Sequence, residues 1–284
     1  MSMVLRAPAK INLGLVVGNK LQNGFHKIYT IYNQVSLYDD IYLDTLSDNI
    51  VKITCSNKKL FPQENFAYKA VILLKQNYNI QFGVEIKINK HIPIGSGLGG
   101  GSSNAASVLL GLKKLWKINI SVNDLLILGK QISADVPYHL LSGTMLESQG
   151  DNDLKRFQKL TPLPKMYVVI CFPGIVILST EAYKWIKSGK KDKNKLQKLR
   201  NAIVKGDVNA IGQNLYNDFE PVIFSKYPTI LSIKKLLLEQ NAVGALLSGK
   251  GSSVYGLYTN RDLAQSAYAS LKKKFTETFL VDTL

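Results

Sequence analysis

Polar and apolar residues alternate around Val84, Ile86 and Ile88, which predicts a strand over Gly83–Asn89 with one buried face. A different period follows. Ala105, Val108, Leu109, Leu112, Leu115 and Trp116 recur at intervals of three and four, one face of a helix over about 103–116. The same reading places strands at 4–17, 41–43 and 50–55, and helices at about 66–76 and 122–130, the second capped by Ser121 with Asp124 in its first turn. Farther along it predicts a strand at 167–172, a helix opening on Pro228 and running to 239, strands at 244–247 and 254–258, and a last helix over about 262–274. The pattern breaks in a polar stretch at 151–164, with Gly150 before it and Pro162 and Pro164 at its end. Residues 1–155 and 156–284 thus each mix strands with helices, an α+β fold in two lobes. No internal repeat of solenoid length is visible.

Composition supports a packed protein: 284 residues suffice for one large or two ordinary domains, and 46% hydrophobic with 20% charged residues is a globular balance. No apolar run is long enough to span a membrane and residues 1–10 lack the shape of a signal peptide, so neither membrane nor secretion is expected, and the expected location is cytoplasmic. Cys55 and Cys171 sit in strand-like runs as small buried hydrophobes, which suits a reducing compartment. With these two cysteines, three histidines and no C-x-x-C or H-x-x-x-H spacing, no structural zinc site is expected, and no metal-ligating residue is singled out. The net charge of +16 raises nucleic acid as a partner. Much of it is one block, KSGKKDKNKLQKLR at 187–200, whose plainer reading is a solvated surface insertion. Codon bias toward Lys, Asn, Ile and Tyr supplies another source of charge, and anionic small substrates would profit from the same field.

Between the strand at 83–89 and its helix lies PIGSGLGGGSSN, residues 93–104. Glycine tolerates positive φ and lets a ligand approach the backbone, and the first amides of a helix lack internal partners at its positive end. The combination binds phosphate. A plain flexible linker would lack the gripping strand and helix. Gly95, Gly97 and Gly100 formally satisfy G-x-G-x-x-G, but residues 90–94 separate them from the strand and Asp124 reads as a helix-start acid, so a dinucleotide fold is not expected. The loop also has no Walker lysine and no protein-kinase signature set downstream. A second near-match, Gly244 to Gly251, has Gly251 where a P-loop needs Ser or Thr, and reads as a strand followed by a tight Ser-Gly-x-Gly turn.

Phosphoryl transfer to an alcohol further needs a cation and a carboxylate to take the hydroxyl proton. A charge within an apolar run is a candidate, because burying it is costly unless it is used or paired. Lys10, in APAKINL, and Asp135, in SADVP, qualify. Their plainer readings are a snorkelling edge-strand lysine and a turn or cap acid before proline.

The blocks APAKINLGL, NGFHKIYT, PIGSGLGGGSSNAA, SADVPYHLLSG and LLSGKGSSV, in this order, resemble the GHMP kinase superfamily over nearly the whole chain. The resemblance implies a two-lobed GHMP kinase fold, with a ribosomal S5 domain 2-like N-terminal ATP-binding lobe (1–155) and a ferredoxin-like C-terminal lobe (156–284). It implies ATP as co-substrate, with Mg²⁺ on its phosphates, and a cytidine diphosphate sugar alcohol as acceptor. No nucleic acid and no membrane partner are implied, and the chain is expected as a monomer or weak homodimer. By the same resemblance Asp135 is the catalytic base and Lys10 its partner, a nearby ammonium lowering a carboxylate's pKa. The triphosphate loop comprises Pro93, Ile94, Gly95, Ser96, Gly97, Leu98, Gly99, Gly100, Gly101, Ser102 and Ser103, with Asn104, Lys90 and Asn65 as further nucleotide contacts. Asn12 stands beside the sugar alcohol, and Phe25, His26 and Tyr183 receive the cytosine, whose π-face stacks on an aromatic ring.

The chain departs from the family pattern at three places. Phe25 replaces a frequent tyrosine, Lys250 occupies a turn position more often small or hydroxylated, and residues 187–200 match no motif. Two other readings stay open on sequence alone. Another small-alcohol kinase of the superfamily would share the ATP loop. A basic RNA-binding protein on a similar lobe would instead show salt-sensitive RNA affinity with no activity dependent on Asp135.

Overall fold

The structure, a computed structural model, describes residues 1–20, 26–57, 64–148, 156–186 and 194–284. Among them the elements run β1 (Ser2–Lys20), β2 (His26–Leu46), β3 (Val51–Cys55), α1 (Phe66–Tyr78), β4 (Gly83–Asn89), α2 (Gly100–Leu115), α3 (Val122–Ile132), α4 (Val136–Leu141), β5 (Met145–Ser148), β6 (Phe157–Lys159) and β7 (Tyr167–Cys171). There follow α5 (Ser179–Trp185), α6 (Asn194–Lys205), α7 (Val208–Gln213), β8 (Tyr216–Asn217), α8 (Glu220–Lys226), α9 (Pro228–Glu239), β9 (Gly244–Leu247), β10 (Val254–Tyr258), α10 (Arg261–Lys272) and β11 (Thr278–Asp282). The α+β expectation holds. No described helix is long and apolar enough to cross a membrane.

The chain forms two compact units, and neither is one continuous stretch. The first comprises residues 1–9, 37–94 and 99–142; the second comprises 10–36, 95–98 and 143–284. In the first unit β4 pairs antiparallel with the second half of β2, Ile41 opposite Ile88, and parallel with β3, Ile53 opposite Ile86. Helices α1 to α4 bury their apolar faces against these strands. Val71 and Leu74 of α1, Val108, Leu109 and Leu112 of α2, and Leu125 and Leu128 of α3 join Ile41, Leu43, Val84 and Ile86 in one core. The expected Ser121 cap is present, its hydroxyl accepting from the Asp124 amide at 3.1 Å.

In the second unit a four-stranded antiparallel sheet has the order β11-β7-β10-β9. The chain order β7, helices, β9, β10, α10, β11 with that spatial order is the ferredoxin-like arrangement expected for the C-terminal part. Its core joins Val169, Leu247, Val254, Ile233, Leu237 and Leu271 to Leu15 and Val17, which come from β1. The first half of β2 pairs with β5, and β1 pairs in parallel with the short β8.

Two expectations change. The helix after the glycine loop begins at Gly100 rather than near 103, since Gly100 and Gly101 already have helical backbone while Gly99 caps the helix in the left-handed region. The basic block is only partly an insertion. Its residues 194–200 open α6, where Leu196, Leu199, Ala202 and Ile203 are buried at helical spacing and Leu196 and Leu199 pack onto Gly14 of β1. The lysines of the block that fall in α6 are thus the polar face of an amphipathic helix; residues 187–193 lie outside the described residues.

Candidate active site

Beyond β4 the chain enters the glycine loop with positive φ at Gly95 (72°), Gly97 (85°) and Gly99 (71°). Gly97 is the most constrained: a Cβ there would stand 2.2 Å from the Ser248 carbonyl oxygen. No side chain caps α2, which leaves its positive end for an anion. Ser102 and Ser103 lie in the first turns of this helix. Ser102 Oγ meets Ser133 Oγ at 2.7 Å, whereas Ser103 Oγ is buried with no hydrogen-bond partner. Pro93, Ser96 and Leu98 are buried, so these positions offer backbone rather than side chain; Ile94 and Gly101 are exposed.

The loop carbonyls are held from two sides. Leu98 O accepts from the Lys10 amide at 2.9 Å, Ser96 O from the Ser253 amide at 3.0 Å, and Gly97 O from Ser248 Oγ at 3.0 Å. Ser248 opens the Ser-Gly-Lys-Gly turn after β9 and Ser253 lies just beyond it; the turn is as tight as its sequence predicts, with φ of 59° at Gly249 and 92° at Gly251. Asn217 in β8 organises this turn, its Nδ2 donating to Leu247 O and Gly249 O, each at 2.7 Å. Lys250 Nζ donates to the Ile177 carbonyl.

Lys10 is 4% exposed, which removes the reading of a snorkelling surface lysine. Its Nζ donates to Asn12 Oδ1 at 2.6 Å, Asn12 Nδ2 to Thr30 Oγ1 at 2.8 Å, and Thr30 Oγ1 to Gly14 O at 2.6 Å. Gly249 passes beside the pair: a Cβ there would lie 3.4 Å from Lys10 Nζ and 3.5 Å from Asn12 Oδ1. On another side the ammonium lies 5.3 Å from the centre of the Tyr32 ring, a cation–π distance. Tyr32 Oη in turn donates at 2.8 Å to Glu147, which is ion-paired with Arg156. All of these residues belong to the second unit.

Asp135 belongs to the first unit, half-buried at the N-cap position of α4. Its side chain makes no cap hydrogen bond, so capping is not its use. Its charge is felt nearby. Burial, and secondarily Asp135, push the Tyr138 hydroxyl well above the ordinary phenol range.

The other candidates also find places. Asn65 is 8% exposed and caps α1, its Oδ1 accepting from the Ala67 amide at 2.9 Å. Lys90 is brought to Asn104, with Nζ 3.2 Å from Oδ1. His26 and Tyr183 stack with centroids 5.4 Å apart and planes 12° apart, and Tyr183 is braced edge-on by Phe219 at 5.2 Å. Burial first, then the charge of Lys20, lower the His26 pKa, so the ring is neutral at neutral pH. Phe25 lies outside the described residues. Sequence reasoning missed Asp39, Asn217 and Thr30. Asp39 carries only a weak signal, as one of two adjacent acids in the mixed polar and apolar stretch 31–43; the other two carry no local signal.

This chain matches the family model "GHMP kinases N terminal domain" over residues 65–143 and "GHMP kinases C terminal" over 199–277. It is 37% identical to the 4-diphosphocytidyl-2-C-methyl-D-erythritol kinase of Caldicellulosiruptor saccharolyticus, over 99% of this chain and 97% of that one. It is 35% identical to the enzyme of the same name from Enterococcus faecalis, over 100% of both chains. A crystal structure of 4-(cytidine 5'-diphospho)-2C-methyl-D-erythritol kinase matches with a TM-score of 0.83 at 28% identity, covering 99% of each chain. Two family matches and a likeness of 35–37% identity along nearly the whole chain converge with the glycine loop: the chain belongs to the 4-diphosphocytidyl-2-C-methyl-D-erythritol kinase family of GHMP kinases.

Proposed function

We propose that this chain transfers the γ-phosphoryl group of ATP to the 2-hydroxyl of 4-diphosphocytidyl-2-C-methyl-D-erythritol, a step of non-mevalonate isoprenoid precursor biosynthesis. The observation that carries the choice of substrate is the end-to-end likeness to relatives bearing that name. In this reading residues 1–155 form the ATP-binding half and 156–284 the second half, consistent with one family match falling in each.

Transfer is direct and in line, with no phosphoenzyme. Asp135 accepts the hydroxyl proton, and Lys10 is its partner in the step and steadies the charge developing on the transferred group. Asn12 holds Lys10 Nζ from one side and orients the alcohol, which supports the pairing of these two residues in one role. The triphosphate lies along residues 93–103, with Asn65, Lys90 and Asn104 as further nucleotide contacts, and the cytosine is received by Phe25, His26 and Tyr183. Among the described residues no group of three His, Cys, Asp or Glu is assembled for a metal. Mg²⁺ would come with the phosphates, and Ser103, whose buried hydroxyl has no hydrogen-bond partner, would offer it an oxygen ligand. The ion neutralises phosphate charge when bound. The enzyme acts in the cytoplasm on small molecules, without nucleic acid, as a monomer or weak homodimer.

A coupled ADP-release assay over a panel of alcohols tests this. Turnover should require ATP, Mg²⁺ and the cytidine diphosphate substrate; a preference for homoserine or mevalonate would overturn the reading.

A further inference from the structure

Asp39 has no surface exposure, yet its carboxylate accepts four hydrogen bonds. Oδ1 takes the amides of His91 at 2.8 Å and Ile92 at 2.9 Å; Oδ2 takes Asn104 Nδ2 at 2.8 Å and Lys90 Nζ. A carboxylate removed from water is costly unless it is paired and hydrogen-bonded, and this one is both. Its donors bracket the glycine loop. Residues 90–92 lead into Pro93, and Asn104 follows Ser103 in α2.

Lys90 is held in an unfavourable place. A Cβ at Gly100 would lie 3.0 Å from its Nζ, so the ammonium stands against the first residue of α2, at the positive end of that helix. A cation there is repelled by the helix dipole and needs an anion to keep it. Asp39 is that anion. With Nζ donating to Asp39 and to Asn104 Oδ1, one of the three ammonium protons is left for an incoming ligand.

We propose that Asp39 is a positioning residue that clamps the entry and the exit of the glycine loop to β2, and so holds Lys90 and the Asn104 amide in place before ATP arrives. It touches neither substrate itself. This rests on reading the loop as the ATP site.

The test is Asp39→Asn, which keeps the shape and an acceptor for the His91 and Ile92 amides but has no charge to hold Lys90. ATP binding followed by calorimetry should weaken about tenfold, while the KM for the alcohol changes less than about twofold and the circular dichroism is unchanged. A merely structural role would instead lower thermal stability with no such split. Unchanged ATP affinity in the folded variant, or equal losses for ATP and alcohol, overturns the proposal. Should the variant not fold, hydrogen exchange of the unaltered protein decides. Protection of the His91 and Ile92 amides before ATP is added supports the clamp, and fast exchange slowed only by ATP refutes it. Calorimetry needs no turnover, so failure of the alcohol assignment would show separately, as ATP binding without ADP release.

Discussion

At the scale of single residues, Lys10 and Asp135 stand out because each places a charge in an apolar run; Lys10 is buried, and Asp135 sits at the N-cap of α4 without a cap hydrogen bond. Lys10→Met keeps the stem and removes the charge, and Asp135→Asn keeps the shape and removes the base. Each should lower kcat by about 10²–10⁴ while calorimetric ATP binding persists. Retained turnover in either would remove that residue from the chemistry. His26 gives a pH signature. Its lowered pKa means that the unfolded chain takes up the proton first, so stability from this group is complete above the ordinary histidine range and is lost as pH falls through the folded value. The KM for the cytidine substrate should accordingly be flat near neutrality and rise in acid, and His26→Gln should flatten that rise. Charges in apolar runs were legible in the sequence. Asn217 and Thr30 were not, because the groups that give them meaning are far along the chain: Asn217 Nδ2 reaches residues 30 and 32 positions away.

Among the elements, those with one wet face were read almost to the residue, as β4 and α9 show. β2 was seen only at 41–43 because its middle is buried without alternation, from Thr30 to Ser36 nearly unbroken, and period two vanishes when both faces are dry. Helix α6 was hidden by its own lysines. Two glycines separate backbone strain from steric fit. Gly143 has φ of 79° and open space where a Cβ would stand, so Gly143→Ala should cost about 1 kcal/mol in denaturant unfolding. Gly97→Ala meets the Ser248 carbonyl as well and should cost about 3 kcal/mol or more, with loss of ATP binding. Equal effects would mean that the close approach at Gly97 relaxes freely. For α1, Asn65→Ala should lose about 1 kcal/mol of cap energy and Asn65→Asp should keep it, so any drop in ATP affinity shared by both variants reports nucleotide contact rather than capping.

For the molecule as a whole, the α+β class was legible from the residue pattern and the ferredoxin-like sheet only through the family resemblance, but the exchange of segments between compact units was not legible. The second unit takes in 10–36 and 95–98, and its core uses Leu15 and Val17 of β1. Residues 156–284 expressed alone should therefore lack part of their core and show neither dispersed amide resonances nor cooperative melting; a sharp melt would contradict this. The same interleaving bears on how the enzyme is made. Ser96 and Gly97 leave the ribosome early, yet their carbonyls take donors from Ser253 and Ser248, the latter 151 residues downstream. If residues 93–103 hold ATP as proposed, ATP should protect only chains long enough to include the turn after β9, and not those that end before it.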